Sequence, residues 1–162
     1  MAVSLKIPLV VGDDADLVRV SRENPGYQFE REEDGTLTVS PNFTRGCAKS
    51  GEAYAQLRVY AEKAGGEAFD SSAGFKIGTR GAVKSPDASW VRQPRIDSLT
   101  DEELAGFWPL CPDVAIEVRS ASDTFKVTVA KIEFYRGSEA GCERLRPGTR
   151  PAIGGAQKCG TT

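Results

Sequence analysis

The chain has 162 residues, 40% of them hydrophobic and 27% charged, with a formal net charge of −2 and an isoelectric point near 5.3. This size and balance fit one globular domain with its own core, and the charge lacks the overall basic footprint of a tight non-specific nucleic-acid binder. There is no histidine, which excludes Ser-His-Asp and Cys-His catalysis, a histidine general base and mixed Cys/His zinc sites. Cys47, Cys111, Cys142 and Cys159 contain no Cys-x-x-Cys pair, so free thiols in a reducing compartment are expected ahead of a four-cysteine zinc site. No run approaches the roughly 18 apolar residues of a membrane span, and the start of the chain has one lysine and no clear cleavage site. A cytoplasmic protein with no membrane association is therefore expected.

In chain order, Asp13 or Asp14 can cap a helix running to about Glu23, with Leu17, Val18 and Ser21 facing inward and Pro25-Gly26 stopping it. Tyr27 to Arg31 and Thr36 to Val39 flank Glu33-Asp34-Gly35, and Asp-Gly between β-forming runs predicts a hairpin. Thr44 to Ala64 carries Tyr54, Leu57 and Ala61 on one face and ends at Gly65-Gly66, a helix with a glycine C-cap whose first turns are weakened by Gly46 and Gly51. Phe69 to Ile77 reads as short strands broken by Ser71 to Gly74, and Gly78 to Gly81 turns the chain into a strand bearing Asp87, giving that strand a hairpin partner. Residues 92–95 read as loop, and Thr100-Asp101-Glu102-Glu103 forms a capping box for a short helix ending near Gly106.

Two carboxylates stand out. Asp87 follows Pro86 at the head of a β-like run in which Asp87 and Ser89 share one side and Ala88 and Trp90 the other. Thirty residues later, Val114, Ile116 and Val118 make an apolar face, leaving Asp113, Ala115, Glu117 and Arg119 opposite. An unpaired carboxylate is costly to bury, so Glu117 requires a cation, a metal ion or a proton. Two strand carboxylates with a nearby lysine form the set that metal-dependent phosphodiester cleavage uses: the carboxylates hold Mg²⁺, and the lysine orients or helps deprotonate the water. Phe107, Trp90 and Trp108 are expected in the core rather than as base-stacking platforms.

Phe125 to Tyr135 is ambiguous. Phe125, Val127 and Val129 alternate as in a strand, while Phe125, Val129 and Ile132 also have helical spacing behind a cap at Ser122 or Asp123. From Arg136 the chain becomes glycine-rich, with five basic side chains against two acidic ones and no apolar periodicity, so residues 136–162 are expected to be an irregular tail behind a domain spanning 1–135.

Residues 85–90 (SPDASW), the preceding stretch 68–75 (AFDSSAGF), and 111–123 (CPDVAIEVRSASD) with Lys131 and Tyr135 beyond it together resemble the Uma-type restriction endonuclease family of the PD-(D/E)XK nuclease superfamily. The resemblance covers about residues 16–135. It implies an α/β (α+β) fold of the restriction-endonuclease-like type, a central mixed sheet flanked by helices. It implies a metal-dependent endonuclease acting on nucleic acid, DNA in particular, with Mg²⁺ as cofactor and Mn²⁺ as a substitute. By position it assigns Asp87 and Glu117 as metal ligands, Glu30 as an early acidic group and Lys131 as the lysine that assists the attacking water. The superfamily's usual lysine, two residues after the glutamate, is replaced by Arg119, too basic to accept a proton but able to contact phosphate or pair with Asp113. Taking Lys131 from the following segment makes Phe125 to Tyr135 a helix, with Lys126 in reserve. The tail departs from the family, in which further strands follow the lysine helix. Cutting both strands of a duplex would suit a homodimer. The competing expectation is a catalytically inactive interaction module that kept the fold, and a carboxylate-pair glycosidase has no supporting motif.

Overall fold

Asp13 caps α1 (Asp14–Glu23) by accepting the Asp16 N–H at 2.8 Å. Leu17 and Val20 are its buried residues, so Val20 takes the inward place expected for Ser21. At the other end the buried Asn24 side chain donates to the carbonyls of Val20 and Lys6, satisfying the last turn. These elements belong to a computed structural model that describes residues 5–7, 11–41, 44–78, 80–119 and 125–138.

The hairpin β1 (Tyr27–Arg31) and β2 (Leu37–Pro41) pairs Tyr27 with Pro41 through Arg31 with Leu37, and Gly35 closes its turn at φ +85°. α2 (Thr44–Ala64) runs through Gly46 and Gly51 without a break. It ends where Gly65, at φ +76°, donates its N–H to the Ala61 carbonyl at 2.9 Å. Gly66 follows at φ +84°, and a Cβ there would stand 2.2 Å from the Val91 carbonyl oxygen. Gly66→Ala is therefore expected to cost at least about 2 kcal/mol, against about 1 kcal/mol for Gly65→Ala, which meets open space. Urea unfolding of the two variants measures the difference.

The remaining strands are β3 (Glu67–Asp70), β4 (Phe75–Ile77), β5 (Ala82–Lys84), β6 (Ala88–Val91) and β7 (Val114–Ile116). The fold is mixed α+β, as expected, but the strands divide between two sheets, ordered β2-β1-β5-β4 and β3-β6-β7. Every ladder between these strands is antiparallel, and among the described residues parallel pairing is confined to one bridge between Phe75 and Trp108. A parallel neighbour needs a crossover that returns the chain to its starting end. Between β6 and β7 the chain instead makes the short helices α3 (Gln93–Ile96) and α4 (Asp101–Leu104) and enters β7 running the other way.

Two local expectations are corrected. The glycine turn at 78–81 joins β4 to β5, whereas the strand following Asp87 is β6, whose partners are β3 and β7. Asp87 itself lies in the three-residue connection Ser85-Pro86-Asp87, where the chain leaves one sheet for the other. Of residues 92–95, expected as loop, Gln93 to Arg95 instead enter the helical turn of α3, because Pro94 falls in its first turn, where its missing N–H costs nothing. The capping box of α4 is present, with Thr100 and Glu103 each bonded to the other's backbone.

The side-chain alternation read from the sequence holds in β6 and β7. Ala88, Trp90, Val114 and Ile116 pack on Leu57 and Ala61 of α2, while Val91 and Ala115 join Phe75, Ile77 and Tyr135 on the opposite side. Phe69, Phe75 and Trp108 meet edge to face, with centroids 5.0 to 6.5 Å apart, and so tie β3 to β4 across the two sheets. Trp90 is also a core residue, donating its indole N–H to the Gly65 carbonyl. The last described element is α5 (Phe125–Gly137), a helix as the resemblance implied. The tail beyond residue 138 lies outside the described residues. Among the described residues no helix is long and apolar enough to cross a membrane.

Candidate active site

Glu30 stands on β1, facing the core because β1 alternates between Asp14 of α1 on one side, bonded by Arg31, and the interior on the other. Its Oε1 accepts the Ser85 N–H at 2.9 Å, joining β1 to the connection that carries Asp87. Its Oε2 is buried and has no hydrogen bond, with Lys131 Nζ at 3.5 Å and Lys84 Nζ at 3.7 Å.

Asp87 is held from two sides. The Ser50 hydroxyl of α2 donates to Oδ1 at 3.0 Å, and the Val118 N–H donates to Oδ2 at 2.6 Å. The second bond brings the residue next to Glu117 directly against the Pro-Asp connection. Glu117 follows β7 with its side chain 8% exposed. Its Oε2 lies 3.4 Å from Lys131 Nζ, and its Oε1 accepts the Tyr135 hydroxyl at 3.0 Å. Lys131 and Tyr135 are one helical turn apart on α5, so a single helix face presents both to Glu117.

The electrostatics follow from this crowding. Burial raises the Glu117 pKa from the ordinary 4.5 to about 7; Lys131 opposes the rise, and the charges of Glu30 and Asp87 add to it. Burial works against the Lys131 ammonium, but Glu30 and Glu117 outweigh it and lift its pKa above the ordinary lysine value. Tyr135 is pushed up by burial and then by the Glu117 and Glu30 carboxylates, which keeps it a hydroxyl donor.

The structure thus brings together Glu30, Glu117 and Lys131 by direct approach, and Asp87 through the backbone of Val118. Arg119 is exposed, and the Asp113 carboxylate pairs with Arg92 and Arg95 instead. Lys126 is exposed on the first turn of α5. Two residues were not picked out by sequence reasoning. Ser50 lies on a helix whose early turns looked weak, and Lys84 ends a three-residue strand that is buried throughout.

The residues fit a divalent cation. Every donor is a carboxylate oxygen, the hard donor type that Mg²⁺ and Mn²⁺ prefer. Glu30 Oε2 is buried without a hydrogen bond, and burial raises the Glu117 pKa to about 7, a shift that added positive charge would oppose. Among the described residues no three such side chains are already gathered as a ligand cluster, so Asp87 and Glu117 are the candidate pair.

The fold has a counterpart among solved structures. It is similar to the crystal structure of a "putative nuclease" from Anabaena variabilis ATCC 29413, with a TM-score of 0.55 at 17% identity, covering 68% of this chain and 60% of that one. The chain therefore spans about 60% of that protein's length. No curated protein matches the chain. The sequence profile of the Uma2 family, described as "Putative restriction endonuclease", matches residues 14–144, and the chain belongs to that family and to the PD-(D/E)XK superfamily of nucleases that contains it.

Proposed function

We propose that the protein is a divalent-metal-dependent endonuclease that hydrolyses phosphodiester bonds in DNA, with Asp87 and Glu117 as the metal ligands, Glu30 as a third acidic group and Lys131 beside the attacking water. The observation that carries this reading is the approach of Lys131 to both Glu30 and Glu117, from three elements far apart in sequence, beside the anchored Asp87. Bound there, Mg²⁺ or Mn²⁺ would supply a water of lowered pKa and positive charge for the phosphate oxygens. The chain's own residues do the rest. Ser50 and the Val118 N–H fix the Asp87 carboxylate, and Tyr135 fixes one oxygen of Glu117. Lys131, a third exposed and with its pKa raised, is a hydrogen-bond donor to water or phosphate rather than a proton acceptor.

Cleavage of supercoiled plasmid in Mg²⁺, in Mn²⁺ and in chelator tests this. Cleavage that requires metal and is lost in both Asp87→Ala and Glu117→Ala is expected. A folded wild-type protein that leaves the plasmid intact under all conditions would overturn the reading in favour of an inactive interaction module. Ser50→Ala removes one of the two groups holding Asp87, and is expected to slow cleavage roughly three- to tenfold and to destabilise the fold by about 1 kcal/mol. Single-turnover rates and thermal unfolding of the same variant check both effects.

A further inference from the structure

Lys84 is a buried cation that the site as described does not use. Its side chain is 6% exposed, and a charge removed so far from water has to be compensated by partners. Arg31 pairs with Val83 across the antiparallel β1–β5 ladder, so Lys84 stands opposite Glu30 and diagonal to Glu32, all on one face. Its ammonium contacts Glu32 Oε1, lies 3.7 Å from Glu30 Oε2, and sits 5.6 Å from the centre of the Phe134 ring. Phe134 belongs to α5, the helix that carries Lys131 and Tyr135. Lys84 is therefore wedged between the strand that bears Glu30 and the helix that faces Glu117.

We propose that Lys84 is a positioning residue: it is the fixed countercharge of Glu30, and it leaves Lys131 free to be shared with Glu117. This rests on the reading of the site as a metal-dependent nuclease. Glu30 Oε2 faces two ammonium groups and is hydrogen-bonded to neither. One of them, Lys84, is buried and locked to Glu32. The other, Lys131, is a third exposed and nearly equidistant from Glu30 and Glu117, at 3.5 and 3.4 Å. With Lys84 in place, Glu30 does not depend on Lys131 for compensation. Without Lys84, Lys131 is the only nearby cation among the described contacts of Glu30, and it is drawn towards Glu30 and away from Glu117.

The test compares Glu32→Gln with the double variant Lys84→Met/Glu32→Gln. The glutamine keeps an acceptor for the Thr38 hydroxyl, which Glu32 Oε1 accepts at 2.9 Å, and the double variant removes one charge of each sign. Crystal structures of both are expected to differ at Lys131: in the double variant its Nζ closes on Glu30 Oε2 and leaves Glu117. Cleavage at saturating Mn²⁺ is expected to fall at least roughly tenfold relative to Glu32→Gln, with Mn²⁺ affinity by calorimetry within about threefold of the wild type, whose net charge the double variant keeps. Lys84→Arg is expected to keep most of the activity of the wild type. If the methionine variant does not fold, Lys84→Gln in the same background carries the test, since it retains a polar contact without charge. A double variant in which Lys131 remains shared and cleavage matches Glu32→Gln overturns the proposal. Absence of cleavage in the wild type defeats the nuclease reading instead, and the position of Lys131 in the two structures still decides the role of Lys84.

Discussion

Glu117→Gln is expected to lower the cleavage rate by roughly a thousandfold or more while leaving the metal-free protein folded and, above neutral pH, more stable than wild type. The loss corresponds to about 4 kcal/mol of transition-state stabilisation, within the several kcal/mol that a well-placed metal ion supplies. The glutamine is nearly isosteric and still accepts the Tyr135 hydroxyl, which stands 3.0 Å from Glu117 Oε1. It removes a carboxylate whose ionisation is opposed by burial and by the charges of Glu30 and Asp87, so the fold loses a destabilising group where activity loses a ligand. Lys131 keeps Glu30 as a partner at 3.5 Å and has water on its exposed side. Single-turnover kinetics together with thermal unfolding in chelator separate the two effects. A variant that loses activity by unfolding would show the opposite change in melting temperature.

The stability of the metal-free protein is expected to fall as pH rises from about 4.5 to about 7. Glu117 has its pKa raised from 4.5 to about 7 in the folded chain, so over that window the native state holds more protons than the unfolded one. The corresponding stabilisation is present in full below 4.5 and is lost as pH passes the folded value, with an upper limit on the order of 3 kcal/mol. Asp14 acts in a different window. Burial raises its pKa, but hydrogen bonds from Lys76 and Arg31 outweigh that and lower it from 3.8, so its contribution is lost only on further acidification. Unfolding curves across the pH range should show the slope between 4.5 and 7 in wild type and not in Glu117→Gln. Added Mn²⁺ should raise the melting temperature more at pH 8 than at pH 5.5, because it binds the ionised carboxylate.

Local chemistry made much of the architecture legible. The Asp-Gly turn of the first hairpin, the aspartate at the start of α1 and the capping box of α4 are each settled by backbone groups within a few residues. α5 shows where pattern fails. Phe125, Val127 and Ile132 are exposed on the helix, so the apolar residues that suggested a strand are not those that direct its packing. Tyr135 and the Phe134 ring do that, and only the resemblance placed them on a helix. The partition into two sheets was not legible, because a short apolar strand reads the same in either. Nor were the partners that complete the site. Asp87 is held by a backbone N–H and a serine, which no side-chain motif announces. Lys84 meets Glu30 only because of a register set between distant strands.

The Ser85-Pro86-Asp87 connection between the sheets has a consequence during synthesis. Glu30 comes from the four-stranded sheet, Glu117 from the end of the three-stranded one, and Lys131 from the last described helix. While a ribosome is still making the chain, a hairpin and α2 can form with none of this charge arrangement in being. The cluster closes only after α5 has emerged and docked, so a nascent or prematurely released polypeptide carries the carboxylates without Lys131 and Tyr135 against them. On the proposed nuclease reading, only chains synthesised through α5 would carry the assembled site.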